Sequence, residues 1–135
     1  MKILFFGAGN MASVLGASFL KGNPNITMYF YSPSKISAKN LALKLSANFI
    51  ENISEIPSDI DWYFLSFKPQ SLNEFDFKFK KNDKIVSLLA GTELATLKEK
   101  FIDGNFVRIM PNTPSKVFAG MNLIYFDDSF TTSNK

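Results

Sequence analysis

The 135-residue sequence predicts an α/β domain with a doubly wound, mostly parallel sheet and helices on both faces. Three observations lead there. Short apolar runs alternate with helical patterns along the chain, as in repeated strand-helix-strand units. The apolar runs are continuous rather than alternating, which suits strands buried on both faces. The length is that of one domain built around a single hydrophobic core.

Strands are expected over residues 2–6, 26–31, 62–66, 84–88, 106–109 and 122–126, with a short piece at 48–50. Helices are expected over 10–20, 34–45 and 92–101, and a turn or short helix after Pro69. The first helix carries Met11, Val14, Leu15 and Phe19 on one stripe, at helical spacing. Residues 115–120, between Pro114 and Gly120, suggest a loop or a single helical turn. The domain is assigned to residues 1–126. Residues 127–135 are polar and aperiodic, and are expected to be a tail or the start of a connection to a further, helical domain.

Composition narrows the chemistry. There is no cysteine and no histidine, which excludes disulfides, Cys/His zinc sites, thiolate nucleophiles and imidazole acid/base catalysis. No metal site and no catalytic residue is assigned in this chain. The net charge of +3 comes from scattered lysines, not from a basic arm of the kind that binds nucleic acid or a membrane. The first apolar run is too short for a signal peptide, and none approaches the ~20 residues needed to span a bilayer. The expected compartment is the cytoplasm. The fifteen phenylalanines fit an AT-rich genome and carry no functional signal of their own.

Gly7-Ala8-Gly9-Asn10-Met11-Ala12 follows the first strand and opens an amphipathic helix. This is the context that the Gly-x-Gly-x-x-Gly/Ala fingerprint of Rossmann-type dinucleotide sites requires. Gly7 permits the tight turn, Gly9 lets the backbone approach a pyrophosphate, and Ala12 keeps the helix close to the sheet. The free N–H groups and positive pole of the helix then face the phosphates. After the second strand comes Tyr31-Ser32-Pro33-Ser34-Lys35, without the acidic residue that usually holds the ribose hydroxyls of NAD(H). Two hydroxyls and an ammonium favour the 2′-phosphate, and hence NADP(H) over NAD(H). A plainer role, Ser34 capping the helix and Lys35 as a solvated charge, is compatible with this. Two further loops at strand ends, Phe67-Lys68-Pro69-Gln70 and Ala90-Gly91-Thr92, lie where open α/β sheets bind ligands. Lys68 offers a charge near the cofactor, and Gly91 a close backbone approach to the nicotinamide ribose.

These loops, together with Arg108-Ile109-Met110-Pro111-Asn112-Thr113-Pro114 and the following Gly120-Met121, resemble the N-terminal half of the pyrroline-5-carboxylate reductase family. The run from Arg108 to Pro114 is the most specific of these elements, and the matches cover essentially the whole chain in the family's order. The resemblance implies reduction of the cyclic imine to proline with NAD(P)H. It implies a cofactor site made of Gly7, Ala8, Gly9, Asn10, Met11, Ser32, Ser34, Lys35, Phe67, Lys68, Pro69, Ala90, Gly91 and Asn112. Met110, Pro111, Asn112 and Thr113 would border the nicotinamide and the small-molecule imine. Family members are longer, and their helical second half forms a homo-oligomer and carries a Ser/Gly/Thr-rich substrate segment. Nothing after Phe126 resembles it, so this chain is expected to supply the cofactor-binding half, with self-association where the second half is lacking. Two alternatives stand beside this reading. One is a non-catalytic dinucleotide-binding module, and the other a related oxidoreductase acting on another imine or with a deazaflavin, against which the Met-Pro-Asn-Thr-Pro run argues.

Overall fold

The computed structural model describes residues 1–110 and 123–126. Seven strands form one sheet: β1 (Lys2–Phe6), β2 (Thr27–Tyr31), β3 (Asn48–Phe49), β4 (Trp62–Leu65), β5 (Lys84–Ser87), β6 (Asn105–Met110) and β7 (Leu123–Phe126). The helices are α1 (Asn10–Gly22), α2 (Lys35–Leu45) and α3 (Leu94–Lys100). The spatial order is β3-β2-β1-β4-β5-β6-β7. Every pairing is parallel except that of β7, which runs antiparallel to β6. The expected α/β class and mostly parallel sheet are therefore what the chain adopts. The expected loop at 115–120 and the tail at 127–135 lie outside the described residues.

The chain's first strand lies inside the sheet, between β2 and β4, and its pleat sorts the core into two layers. Ile3 and Phe5 point to the face covered by α1 and α2, where they meet Leu15, Met28, Phe30 and Leu41. Leu4 and Phe6 point to the other face and pack with Leu65, Ile85, Leu97 and Phe106. Burying one such side chain contributes about 2 kcal/mol.

Two elements depart from the sequence reading. Helix α1 buries Ala12, Leu15 and Gly16. Val14, placed on the apolar stripe by its spacing, instead lines a shallow surface groove with Ser13, Ala17 and Lys21. The cause is Gly16: a Cβ there would lie 3.0 Å from Leu45 Cδ1 and 3.2 Å from both Met28 Sδ and Phe30 Cζ, so the helix seats on its glycine. Helix α3 begins at Leu94 rather than Thr92, because Glu93, its N-cap, is still extended with φ −78° and ψ 156°. Between β4 and β5 the expected turn or short helix after Pro69 is a 3-10 helix, Pro69–Glu74, after which the chain runs extended. Phe75, Phe77 and Phe79 of that stretch reach Phe6, Tyr63 and Phe101, taking the place of a crossover helix.

Candidate dinucleotide site

The carboxyl ends of β1, β2, β4 and β5 are aligned: Phe6 is level with Tyr31 and with Leu65, and Leu65 with Ser87. The loops that follow these residues therefore open on one edge of the sheet, beside the change of direction between β1 and β4 where ligands of such sheets bind.

At the end of β1 the chain turns at Gly7, with φ +111°. A Cβ there would lie 2.7 Å from the Ser66 carbonyl carbon and 2.8 Å from the Phe67 nitrogen, so only glycine fits between the ends of β1 and β4. The Gly7 N–H donates to the Tyr31 carbonyl at 2.7 Å. The Ser66 hydroxyl donates to the Phe6 carbonyl at 3.0 Å and reaches the Gly7 carbonyl at 3.4 Å. Gly9 is the N-cap of α1, and a Cβ on it would meet nothing within 4 Å. The first turn of α1 carries no acidic residue, and the turn that leads into it, Gly7 to Gly9, lines open space where the positive pole of the helix is felt.

That space is a cleft of about 700 Å³. One wall is the turn Gly7, Ala8, Gly9. A second is the β2–α2 loop, with Tyr31, Ser32, Ser34 and Ser37. The third is the segment after β4, with Ser66, Phe67, Lys68, Ser71 and Phe75. The Phe67 and Phe75 rings stack at 4.9 Å, giving this wall a flat apolar surface. The Ser34 and Ser37 hydroxyls are 3.0 Å apart, one turn of helix from each other. Glu74 and Asp76 place carboxylates at the end of the third wall, and exposed Lys68 a cation at its start. The absence of a Cβ at Gly9, a pole of N–H groups and a row of hydroxyls form a cradle of the size and donor chemistry that a phosphorylated dinucleotide needs.

Of the residues singled out from the sequence, Gly7, Ala8, Gly9, Ser32, Ser34, Phe67 and Lys68 meet on this cleft. Others do not line it. Asn10 opens onto the groove outside α1, and Met11 packs toward the core. Lys35 lies on the exposed side of α2, with its ammonium 3.8 Å from the Glu51 carboxylate. Ser34 stands at the N-cap of α2, but its hydroxyl turns to Ser37 rather than capping a backbone N–H. Pro69 begins the 3-10 helix. Ala90 and Gly91 are exposed on the loop after β5, along the same edge of the sheet. Met110 ends β6, while Pro111, Asn112 and Thr113 lie outside the described residues. Ser37, Ser66, Ser71 and Phe75 were not foreseen. The spacing of Ser34 and Ser37, three residues apart in one helix, was the available signal for the first of them.

Among the described residues no group of His, Cys, Asp or Glu is arranged to hold a metal ion, and no helix is long and apolar enough to cross a membrane.

Residues 2–91 match the family described as NADP oxidoreductase, coenzyme F420-dependent. The whole chain is 31% identical, over 146 residues, to a pyrroline-5-carboxylate reductase of Staphylococcus aureus, of which it covers 53%. In structure it is similar to 1-pyrroline-5-carboxylate reductase from Streptococcus pyogenes, with a TM-score of 0.87 at 23% identity, covering 98% of this chain and 51% of that one. It is also similar to Plasmodium falciparum pyrroline carboxylate reductase with NADP bound, at a TM-score of 0.77 and 23% identity, covering 99% of this chain and 51% of that one. The chain thus spans about half the length of the relatives it matches. With the glycine turn, the cleft and a match over two thirds of its residues in agreement, the chain belongs to the family of NADP oxidoreductases described as coenzyme F420-dependent, and within that range of proteins it resembles the pyrroline-5-carboxylate reductases.

Proposed function

We propose that this chain is the cofactor-binding half of a cytoplasmic, homo-oligomeric NADPH-dependent reductase that converts 1-pyrroline-5-carboxylate to L-proline. The observation that carries the reading is the cleft itself, where the turn Gly7 to Gly9, the hydroxyls of Ser32, Ser34 and Ser37, and the Lys68 ammonium share one space. In this reading the α1 N-terminus holds the pyrophosphate, and the serine loop holds the 2′-phosphate of the adenosine. The position at the end of β2 where NAD(H) sites keep a carboxylate is occupied by hydroxyls, which donate to a phosphate instead of repelling it. Lys35 acts there at longer range, its charge shared with Glu51. Bound NADPH would supply the hydride for the imine carbon, while the imine nitrogen takes a proton from solvent or a hydroxyl. Along the same edge, Ala90 and Gly91 leave the backbone open toward the nicotinamide end. The residues from Met110, where β6 ends, to Thr113 would border the substrate.

Calorimetric titration with NADPH and NADH at one salt concentration tests this. Tighter binding of NADPH is expected, and binding of neither would sink the reading. Oxidation of NADPH followed optically with 1-pyrroline-5-carboxylate then separates an enzyme from a binding module. The family description favours a second reading, in which the hydride passes between NADPH and a deazaflavin. The matched residues end at Gly91, short of the Arg108 to Pro114 run on which the imine reading rests. Turnover with coenzyme F420 but not with the imine would decide for the second.

A further inference from the structure

The glycine turn is held from two sides, and one of the holding groups is a side chain. The Gly7 N–H is fixed by the Tyr31 carbonyl of β2 at 2.7 Å. On the β4 side Ser66 donates twice to Phe6, its backbone N–H at 2.8 Å and its hydroxyl at 3.0 Å, and the same hydroxyl lies 3.4 Å from the Gly7 carbonyl. A trans peptide is planar, so its N–H points away from its C=O. Turning the Gly7 carbonyl toward Ser66 therefore turns the Ala8 N–H away from β4. Gly7, with no Cβ, has wide conformational freedom, and without a partner for its carbonyl this peptide plane is free to rotate.

We propose that Ser66 is a positioning residue for the dinucleotide: its hydroxyl fixes the Gly7–Ala8 peptide so that the Ala8 N–H is aimed at the pyrophosphate. This rests on the reading of the cleft as a dinucleotide site. The half-buried hydroxyl touches the turn from within the cleft wall, so its effect on binding comes through the backbone it orients rather than through contact with the ligand.

The test uses the whole chain and NADPH. Loss of one hydroxyl hydrogen bond corresponds to about a five-fold change in an equilibrium constant, so Ser66→Ala is expected to weaken NADPH binding by about that factor, and Ser66→Thr, which keeps the hydroxyl, to restore it. Nitrogen-15 NMR adds a readout that a merely structural role would not move. At saturating NADPH the Ala8 amide signal should shift strongly in the wild type and in Ser66→Thr, and weakly in Ser66→Ala. If Ser66→Ala does not fold, Ser66→Cys, similar in shape but a weak donor, carries the same measurements. Equal affinities together with equal Ala8 shifts in the presence and absence of the hydroxyl would overturn the proposal while leaving the cleft's function standing. Failure of the wild type to bind NADPH would overturn both.

Discussion

A methyl group added at Gly7 and one added at Gly9 meet opposite surroundings. At Gly7 it would stand 2.7 Å from backbone atoms of β4 on a residue with φ +111°, so strain and overlap act together. Gly7→Ala is expected to destabilise the fold by more than about 2 kcal/mol. At Gly9 the added Cβ meets nothing within 4 Å, and φ is −87°, which alanine adopts freely. Gly9→Ala should leave the melting temperature almost unchanged and weaken NADPH binding about ten-fold or more, since the methyl occupies space reserved for phosphate. Calorimetric melting and ligand titration of both variants check the contrast, and a Gly9→Ala protein with full affinity would show that the phosphates do not pass over Gly9. Both glycines were legible in the sequence because a strand, a fingerprint and a helix came in order. Ser66 and Ser37 were not, because a serine acquires meaning only from the carbonyl or hydroxyl that tertiary structure places beside it.

The crossover from β4 to β5 has no α-helix, and three phenylalanines do a helix's packing. Phe79 is the best buried of them, with ring contacts to Phe6, Tyr63, Phe101 and Phe106. Phe79→Ala is expected to cost about 3 to 5 kcal/mol, against less than about 0.5 kcal/mol for Leu43→Ala on the exposed side of α2. Urea midpoints measure both, and a small effect at Phe79 would mean that the segment lies on the sheet without holding it. The sequence reading passed over this stretch. Alternation of Phe with Asp and Lys has a strand's period, yet here it lays an extended chain across the face of a sheet instead of along its edge. The strands were legible for the converse reason, since an apolar run buried on both sides needs no partner to be recognised. Gly16 misled the reading of α1, because a glycine that lets a helix approach carries no hydrophobic signal.

At the scale of the molecule, the core extends to a titratable group. Tyr63 is buried on the face opposite α1, and its hydroxyl is pushed up to about 12, first by burial and then by the nearby Asp83 carboxylate. A group that holds its proton more tightly when folded adds stability fully present below its unfolded value of about 10 and lost as pH rises toward about 12. Melting temperature is therefore expected to decline across that alkaline window, and Tyr63→Phe to decline less. Equal declines would place the alkaline sensitivity elsewhere, among the lysines.

Strand β1 is both an interior strand, paired on each side with β2 and β4, and the lead-in to the glycine turn. Removal of residues 1–10 would delete β1 and the Gly7 to Gly9 turn in one step and leave α1 without its first residue. A chain shortened in this way is expected to lose the folded sheet and the cofactor cradle together, since one strand serves both.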